Sequence, residues 1–178
     1  MHASVKLNAR LVTTLALAGL SVGCGYHEAG HATSIPPDVK TIAIPMFVNH
    51  TPRYRIEQML TAAVTRAFVE QTNFQVTHTT AGADAVLQGT VNSVETAAVT
   101  FDPSTGRATA FEIQVTAAVR LTDLHTQKVL FANPRYVFRE QYQVSESAPA
   151  LFEEDTPALE RLSRDFARTL VTDIVENF

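Results

Sequence analysis

The clearest pattern in the chain is an alternation of apolar and polar positions in two adjoining segments, Ala85–Phe101 and Ala110–Leu124. In the second, Phe111, Ile113, Val115, Ala117, Val119 and Leu121 alternate with Glu112, Gln114, Thr116, Ala118, Arg120 and Thr122. A period of two puts the apolar set on one face of a strand. The first segment repeats it more weakly, with Leu87, Val91, Ala97, Val99 and Phe101 set against Gln88, Thr90, Asn92, Thr96 and Thr100. Between them Asp102-Pro103-Ser104-Thr105-Gly106-Arg107 has the residues of a turn, so the pattern predicts a long antiparallel hairpin with one dry and one wet face.

Elsewhere the periodicity changes. Ile56, Met59, Leu60, Ala63, Val64, Ala67 and Phe68 recur at three- and four-residue spacing, the signature of an amphipathic helix. Leu159, Leu162, Phe166, Leu170 and Ile174 form a second such stripe, with Ala167 and Val171 beside it. Asn49-His50-Thr51-Pro52 and Thr156-Pro157 each place a capping residue before a proline, which predicts a helix start at both points. Thr41–Phe47 reads as a short strand that lies at an edge or ends at Pro45, whose nitrogen cannot donate to a ladder. Phe74–His78 is a short strand or an extended connection. After a turn at Asp123–Lys128, Val129–Val144 is extended again, and Ser145–Asp155 reads as a loop. Two amphipathic helices and a sheet with one dry face predict an α+β fold: two helices packed on one face of a mostly antiparallel sheet of about four strands, a two-layer sandwich.

The first 23 residues stand apart. Lys6 and Arg10, the apolar run Leu11–Leu20 and the short residues Ser21-Val22-Gly23 have the three-part layout of an export signal. Cys24, the one cysteine of 178 residues, falls at the expected cleavage point. Residues 1–23 are therefore expected to be a lipoprotein signal peptide that is removed, with Cys24 acylated (palmitate among its chains). Residues 24–38, punctuated by Gly25, Gly30, Ser34, Pro36 and Pro37, form a lipidated tether, and residues 39–178 form a single α+β domain. Gly25 after the cysteine, where an Asp would have suggested inner-membrane retention, favours the outer membrane. The alternative is ordinary secretion with an incidental cysteine.

Composition is that of a globular domain, 46% hydrophobic and 18% charged. Removing the signal takes away two of the 14 basic residues and none of the 18 acidic ones, leaving 12 against 18, or −6. That balance argues against a nucleic-acid partner. His27-Glu28-Ala29-Gly30-His31 matches the zinc-protease pattern H-E-x-x-H, which needs both histidines on one face of a rigid helix. It falls in a glycine-containing tether, and His50, His78 and His125 lie in unrelated segments, so no metal, no cofactor and no catalysis are expected. No G-x-S-x-G turn or Ser-His-Asp set is present either.

The order of these segments resembles the LPS-assembly lipoprotein family (LptE). The resemblance rests on Cys24-Gly25-Tyr26-His27, on Ile42–Thr51, on Ile56-Glu57 and Leu60-Thr61, on Leu87-Gln88-Gly89-Thr90-Val91, and on Leu121-Thr122-Asp123-Leu124. It implies two helices on a four-stranded sheet. It also implies a non-enzymatic, lipid-anchored outer-membrane protein that faces the periplasm and plugs and helps assemble a large β-barrel (LptD-type) for lipopolysaccharide transport to the outer leaflet. Lipopolysaccharide itself is a possible second partner.

In a meander, the first hairpin tip and the end of the third long strand share one end, whereas Lys128 lies roughly 45 Å away at about 3.3 Å per residue. Arg107, with Arg139 as a possible second, is thus the candidate lipopolysaccharide-binding group, because the guanidinium fork suits phosphate. The resemblance would place further basic residues just beyond the last strand, where this chain instead has Glu146, Glu153, Glu154 and Asp155. The alternative function is a periplasmic lipoprotein that regulates a cell-wall synthase or builds a secretion assembly. A metalloenzyme using His27 and His31 is the third reading.

Overall fold

The computed structural model describes residues 35–144 and 155–176; the signal segment, Cys24, His27–His31 and residues 145–154 lie outside the described residues. In chain order the elements are β1 (Thr41–Ala43), β2 (Val48–Asn49), α1 (Ile56–Gln71), β3 (Gln75–Thr77), β4 (Ala85–Phe101), β5 (Ala108–Asp123), β6 (Val129–Gln143) and α2 (Asp155–Glu176). The fold is α+β, but the sheet is mixed and has six strands in place of four antiparallel ones. The order is β3-β1-β4-β5-β6, with β2 also beside β4. Strands β4, β5 and β6 pair antiparallel as expected. Strand β1 runs parallel to β3 and β4, and β2 parallel to β4. The extra strands are two or three residues long. Strand β1 falls within Thr41–Phe47 and β3 within Phe74–His78, as expected, but the two-residue β2 cannot express a period, and the parallel pairing of all three with partners distant in sequence is not something alternation announces.

Strand β1 stops at Ala43, two residues before Pro45, and it lies inside the sheet between β3 and β4. The chain then crosses to β2, whose Asn49 organises the approach to α1. Asn49 Nδ2 donates to the Arg53 carbonyl (2.9 Å) and to Glu57 Oε2 (2.9 Å), while its Oδ1 accepts from Thr51 N (2.9 Å) and Thr51 Oγ1 (2.8 Å). The helix therefore begins at Ile56, not at Pro52, and its capping position is Arg55 in the left-handed region at φ 62° with no side-chain cap. The capping residue expected within Asn49–Pro52 does not cap the helix; the Asn49 and Thr51 side chains are both bound into the loop.

The expected apolar stripes fill one core. Ile56, Leu60, Val64, Ala67 and Phe68 of α1 and Leu159, Leu162, Phe166, Leu170 and Ile174 of α2 are buried with Leu87, Val91, Val115, Val119, Leu121 and Phe131 of the sheet. Phe166 is the hub, meeting Phe47, Tyr136 and Phe138 edge-to-face at ring distances of 6.4, 5.9 and 5.0 Å. Ile35 and Val39 are buried in the same core, so it reaches back into the segment read as a tether. Gly89 has a specific reason to be glycine: a Cβ there would overlap the ring of Phe47. Thr61, read as a polar-face residue, is buried; its hydroxyl accepts from Phe47 N (3.0 Å) and donates to the Glu57 carbonyl (2.6 Å).

One bulge changes the faces of the hairpin. Val91 opposes Ala117 and Ser93 opposes Thr116, so Asn92 is an extra residue. Beyond it, Val94, Thr96 and Ala98 oppose Val115, Ile113 and Phe111 on the helix side. Ala97, placed on the dry face by simple alternation, opposes Glu112 on the other. A second extra residue, Val99, follows. The weak alternation of β4 is the signature of those two bulges.

Candidate functional site

The helices cover only the near part of the sheet. Ala85, Leu87, Gly89 and Val91 are buried, whereas from Glu95 to Phe101 every residue except Ala98 is exposed. The far halves of β4 and β5 and the end of β6 thus form a projecting blade. On its helix-side face Phe111 and Tyr142 stack at 5.8 Å, and Arg161 of α2 donates to Glu140 (2.6 Å) at its margin.

The face with no helix on it is largely polar over the blade and carries an apolar patch of Ala43, Ala83, Val86 and Leu124 at its base. Successive rungs pair Gln88 with Arg120, Thr90 with Ala118, Ser93 with Thr116, Glu95 with Gln114 and Ala97 with Glu112. Next to these, β6 sets Arg139 beside Gln114 and Gln141 beside Glu112. Arg139 Nε donates to Gln114 Oε1 (2.9 Å) and lies 3.5 Å from Glu112 Oε1, and Gln141 Nε2 donates to Glu112 Oε2 (3.2 Å). Side chains already exchanging hydrogen bonds across strands make a hydrated surface that holds its shape.

The two turns of the meander are built alike, a likeness that alternation did not reveal. In Asp102–Arg107, Asp102 Oδ1 accepts from Ser104 N (2.7 Å), Ser104 Oγ (2.6 Å) and Thr105 N (3.0 Å). Asp102 N donates to the Arg107 carbonyl (2.8 Å), and Gly106 takes a positive φ of 69°. In Asp123–Lys128, Asp123 Oδ1 accepts from His125 N (2.7 Å) and Thr126 N (3.0 Å), Asp123 N donates to the Lys128 carbonyl (2.9 Å), and Gln127 has φ 59°. Both aspartates are held below the usual carboxylate range, Asp102 chiefly by the Ser104 side chain and Asp123 chiefly by the Thr126 N–H. The shared spacing, Asp, then Thr three residues on and a base five on, was readable in the sequence. It ends each turn on an exposed cation, Arg107 at one end and Lys128 at the other.

Arg107 and Arg139 share an end of the sheet but are not brought together. Arg139 opposes Gln114, seven residues from Arg107, which is roughly 23 Å along a strand. Arg107 is exposed, with no ion pair among the described residues, whereas Arg139 is engaged with Glu112 and Gln114.

Asp84 and His125 meet at the opposite end. Asp84 Oδ2 accepts from Lys40 N (2.9 Å) and Thr41 N (2.8 Å), and Oδ1 lies 3.1 Å from His125 Nε2. The Lys40 N–H first, then His125 and the Thr41 N–H, bring the Asp84 carboxyl from 3.8 down to about 2, and Asp84 in turn raises His125. This cluster ties β1, the start of β4 and the second turn together. A cavity of about 420 Å³ between α1 and α2 is lined by Arg66, Glu70, Glu160, Arg164 and Arg168 among others, with no His or Cys among its described residues. Among the described residues no group of His, Cys, Asp and Glu could hold a metal ion, and no helix is long and apolar enough to cross a membrane.

The described residues thus form a helix-backed base carrying a projecting blade. The LptE lipopolysaccharide-assembly family model matches residues 39–174, and the chain belongs to that family. It has a general role in lipopolysaccharide assembly. The fold is shared with the uncharacterized lipoprotein B of Nitrosomonas europaea, at 15% identity and TM-score 0.55, covering 85% of this chain and 90% of that one. A protein from Caulobacter crescentus described as a lipoprotein is similar at 18% identity and TM-score 0.52, covering 75% and 87%. No curated protein sequence matches this chain.

Proposed function

We propose that this protein is an outer-membrane lipoprotein, anchored through acyl chains on Cys24, that plugs an LptD-type β-barrel and helps it assemble. Lipopolysaccharide passes through that barrel to the outer leaflet. The observation that carries the reading is the helix-free sheet face. Its rungs of Gln, Thr, Ser and paired charges suit the wall of a hydrated lumen, and the blade extends that face beyond the helices. Acyl chains contribute about 0.8 kcal/mol per buried CH₂, so two or more of them hold the tether in the membrane from the periplasmic side. The protein acts by occupancy and contact, without catalysis, metal or cofactor.

Arg107 is the proposed contact for a phosphorylated lipid headgroup, being exposed at the tip and free to offer both guanidinium edges. Arg139 would reach an anion only by leaving Gln114 and Glu112, and its role in this reading is to keep the face ordered. The test is gentle detergent extraction of the tagged chain, followed by mass identification of what co-purifies. A large outer-membrane β-barrel in one-to-one amount supports the plug. Recovery alone, or with a cell-wall synthase, replaces it with the regulator reading.

A further inference from the structure

Helices α1 and α2 lie side by side and parallel. Arg53, just before α1, pairs with Asp155 at the start of α2 (2.7 Å), and Gln71 and Val175 at their far ends line a common cavity. Between the two helices, on their water-facing side, runs the cavity of about 420 Å³. Part of its lining is apolar, with Ala63, Ala67 and Ala167, and its rim carries three exposed guanidinium groups, Arg66, Arg164 and Arg168. None of the three takes part in an ion pair or a side-chain hydrogen bond among the described residues. Glu70 and Glu160 also line the groove, each four residues along its helix from an arginine, and neither closes on it. Three bases against two acids leave the groove positive, in a chain whose net charge is −4.

Ser163 adds an independent observation. It lines the same groove, it is 2% exposed, and its hydroxyl has no hydrogen-bond partner. A buried serine or threonine within a helix commonly returns its hydroxyl to the carbonyl one turn back, as Thr61 does with Glu57 (2.6 Å). Ser163 does not. A buried hydroxyl left unsatisfied is unfavourable. It turns on a single χ1 bond, so an acceptor placed in the groove can recruit it.

We propose that the α1–α2 groove binds the phosphate of a small phosphate ester, with the ester's apolar body resting on the alanines. The donor count selects phosphate over carboxylate. Three guanidinium forks and a hydroxyl exceed what two carboxylate oxygens can use, whereas a phosphate monoester offers three free oxygens and up to two negative charges. The volume is at the lower end for small-molecule sites, which suits a soluble ester or the headgroup of a lipid without its acyl chains. The site goes beyond the plug reading: it belongs to the helix layer, away from the helix-free face, and needs neither a barrel nor Arg107.

The test is calorimetric titration of the full chain, held in non-ionic detergent, with phenyl phosphate and with inorganic phosphate. One phenyl phosphate per chain should bind saturably, about tenfold tighter than inorganic phosphate because its ring meets the apolar lining. Arg66→Gln combined with Arg164→Gln should weaken it about tenfold or more, and Arg107→Gln should leave it unchanged. Ser163→Ala separates binding from packing: it should weaken the ester about threefold while the thermal melt holds or rises, because an unsatisfied group is removed. Phosphatidic acid added to the micelles distinguishes the sources. Competition with phenyl phosphate assigns the site to a lipid headgroup, and its absence assigns it to a soluble ester. No saturable binding, binding that survives the double arginine change, or binding lost equally with Arg107→Gln overturns the proposal, whatever barrel co-purifies with the chain.

Discussion

The base of the sheet and its blade are built from the same three strands, yet they answer to different demands. At the base, Leu87, Val91, Val119 and Leu121 are sealed under two helices. In the blade, the helix side carries Thr96, Ala98 and a half-buried Phe111, and much of the surface is water-facing. One region spends its residues on packing, the other on presenting a polar face. The contrast teaches that stability and docking can be separated along a single strand, and substitutions should separate them too.

The largest effect is expected at Phe166. Truncation to Ala removes a ring that meets three others, and core Phe→Ala changes cost about 3–5 kcal/mol. Urea unfolding should show it as a lowered midpoint with the slope unchanged. Gly89→Ala comes next. The new methyl overlaps the Phe47 ring, and overpacking of this kind costs about 1–3 kcal/mol. If Gly89→Ala unfolds at the parental midpoint, the close approach of Phe47 to β4 is not what demands a glycine there.

The Asp84–His125 fastening predicts a pH dependence at the base. The Asp84 carboxyl is lowered to about 2 in the folded chain, so the unfolded chain binds more protons between about 4 and 2, and this contribution to stability is lost as pH falls through that window. His125 is raised, so its contribution is complete below its ordinary 6.5 and is lost as pH rises through the higher folded value. Thermal melts of the parent minus those of Asp84→Asn should show both slopes. A difference that is flat with pH contradicts the pairing. The smallest stability effect belongs to the blade: Gln114→Ala, which frees Arg139 on an open surface, should change stability by no more than about 0.5 kcal/mol.

The blade and base were unequally legible in sequence. Strands β4, β5 and β6 announced themselves because one face stays dry over many residues, and both helices because their stripes persist for several turns. Strands β1 and β3 were visible as short extended segments, but the two-residue β2 and the parallel pairing of all three needed the structure. The start of α1 was displaced from Pro52 because Asn49 is bound into the loop, which no capping rule anticipates. Ala97 was assigned to the wrong face because a single inserted residue, Asn92, reverses every assignment after it. Arg107 and Arg139 were both visible as candidates, but their separation, and the pairing of Arg139 with Glu112, came only with the register.

The most direct test of the account is in-cell photo-cross-linking from two positions, Gln114 in the middle of the helix-free face and Gln58 on the outer side of α1. The account predicts that Gln114 yields a cross-link to a large β-barrel protein. A cross-link from Gln58 with none from Gln114 would contradict it and move the docking surface to the helices.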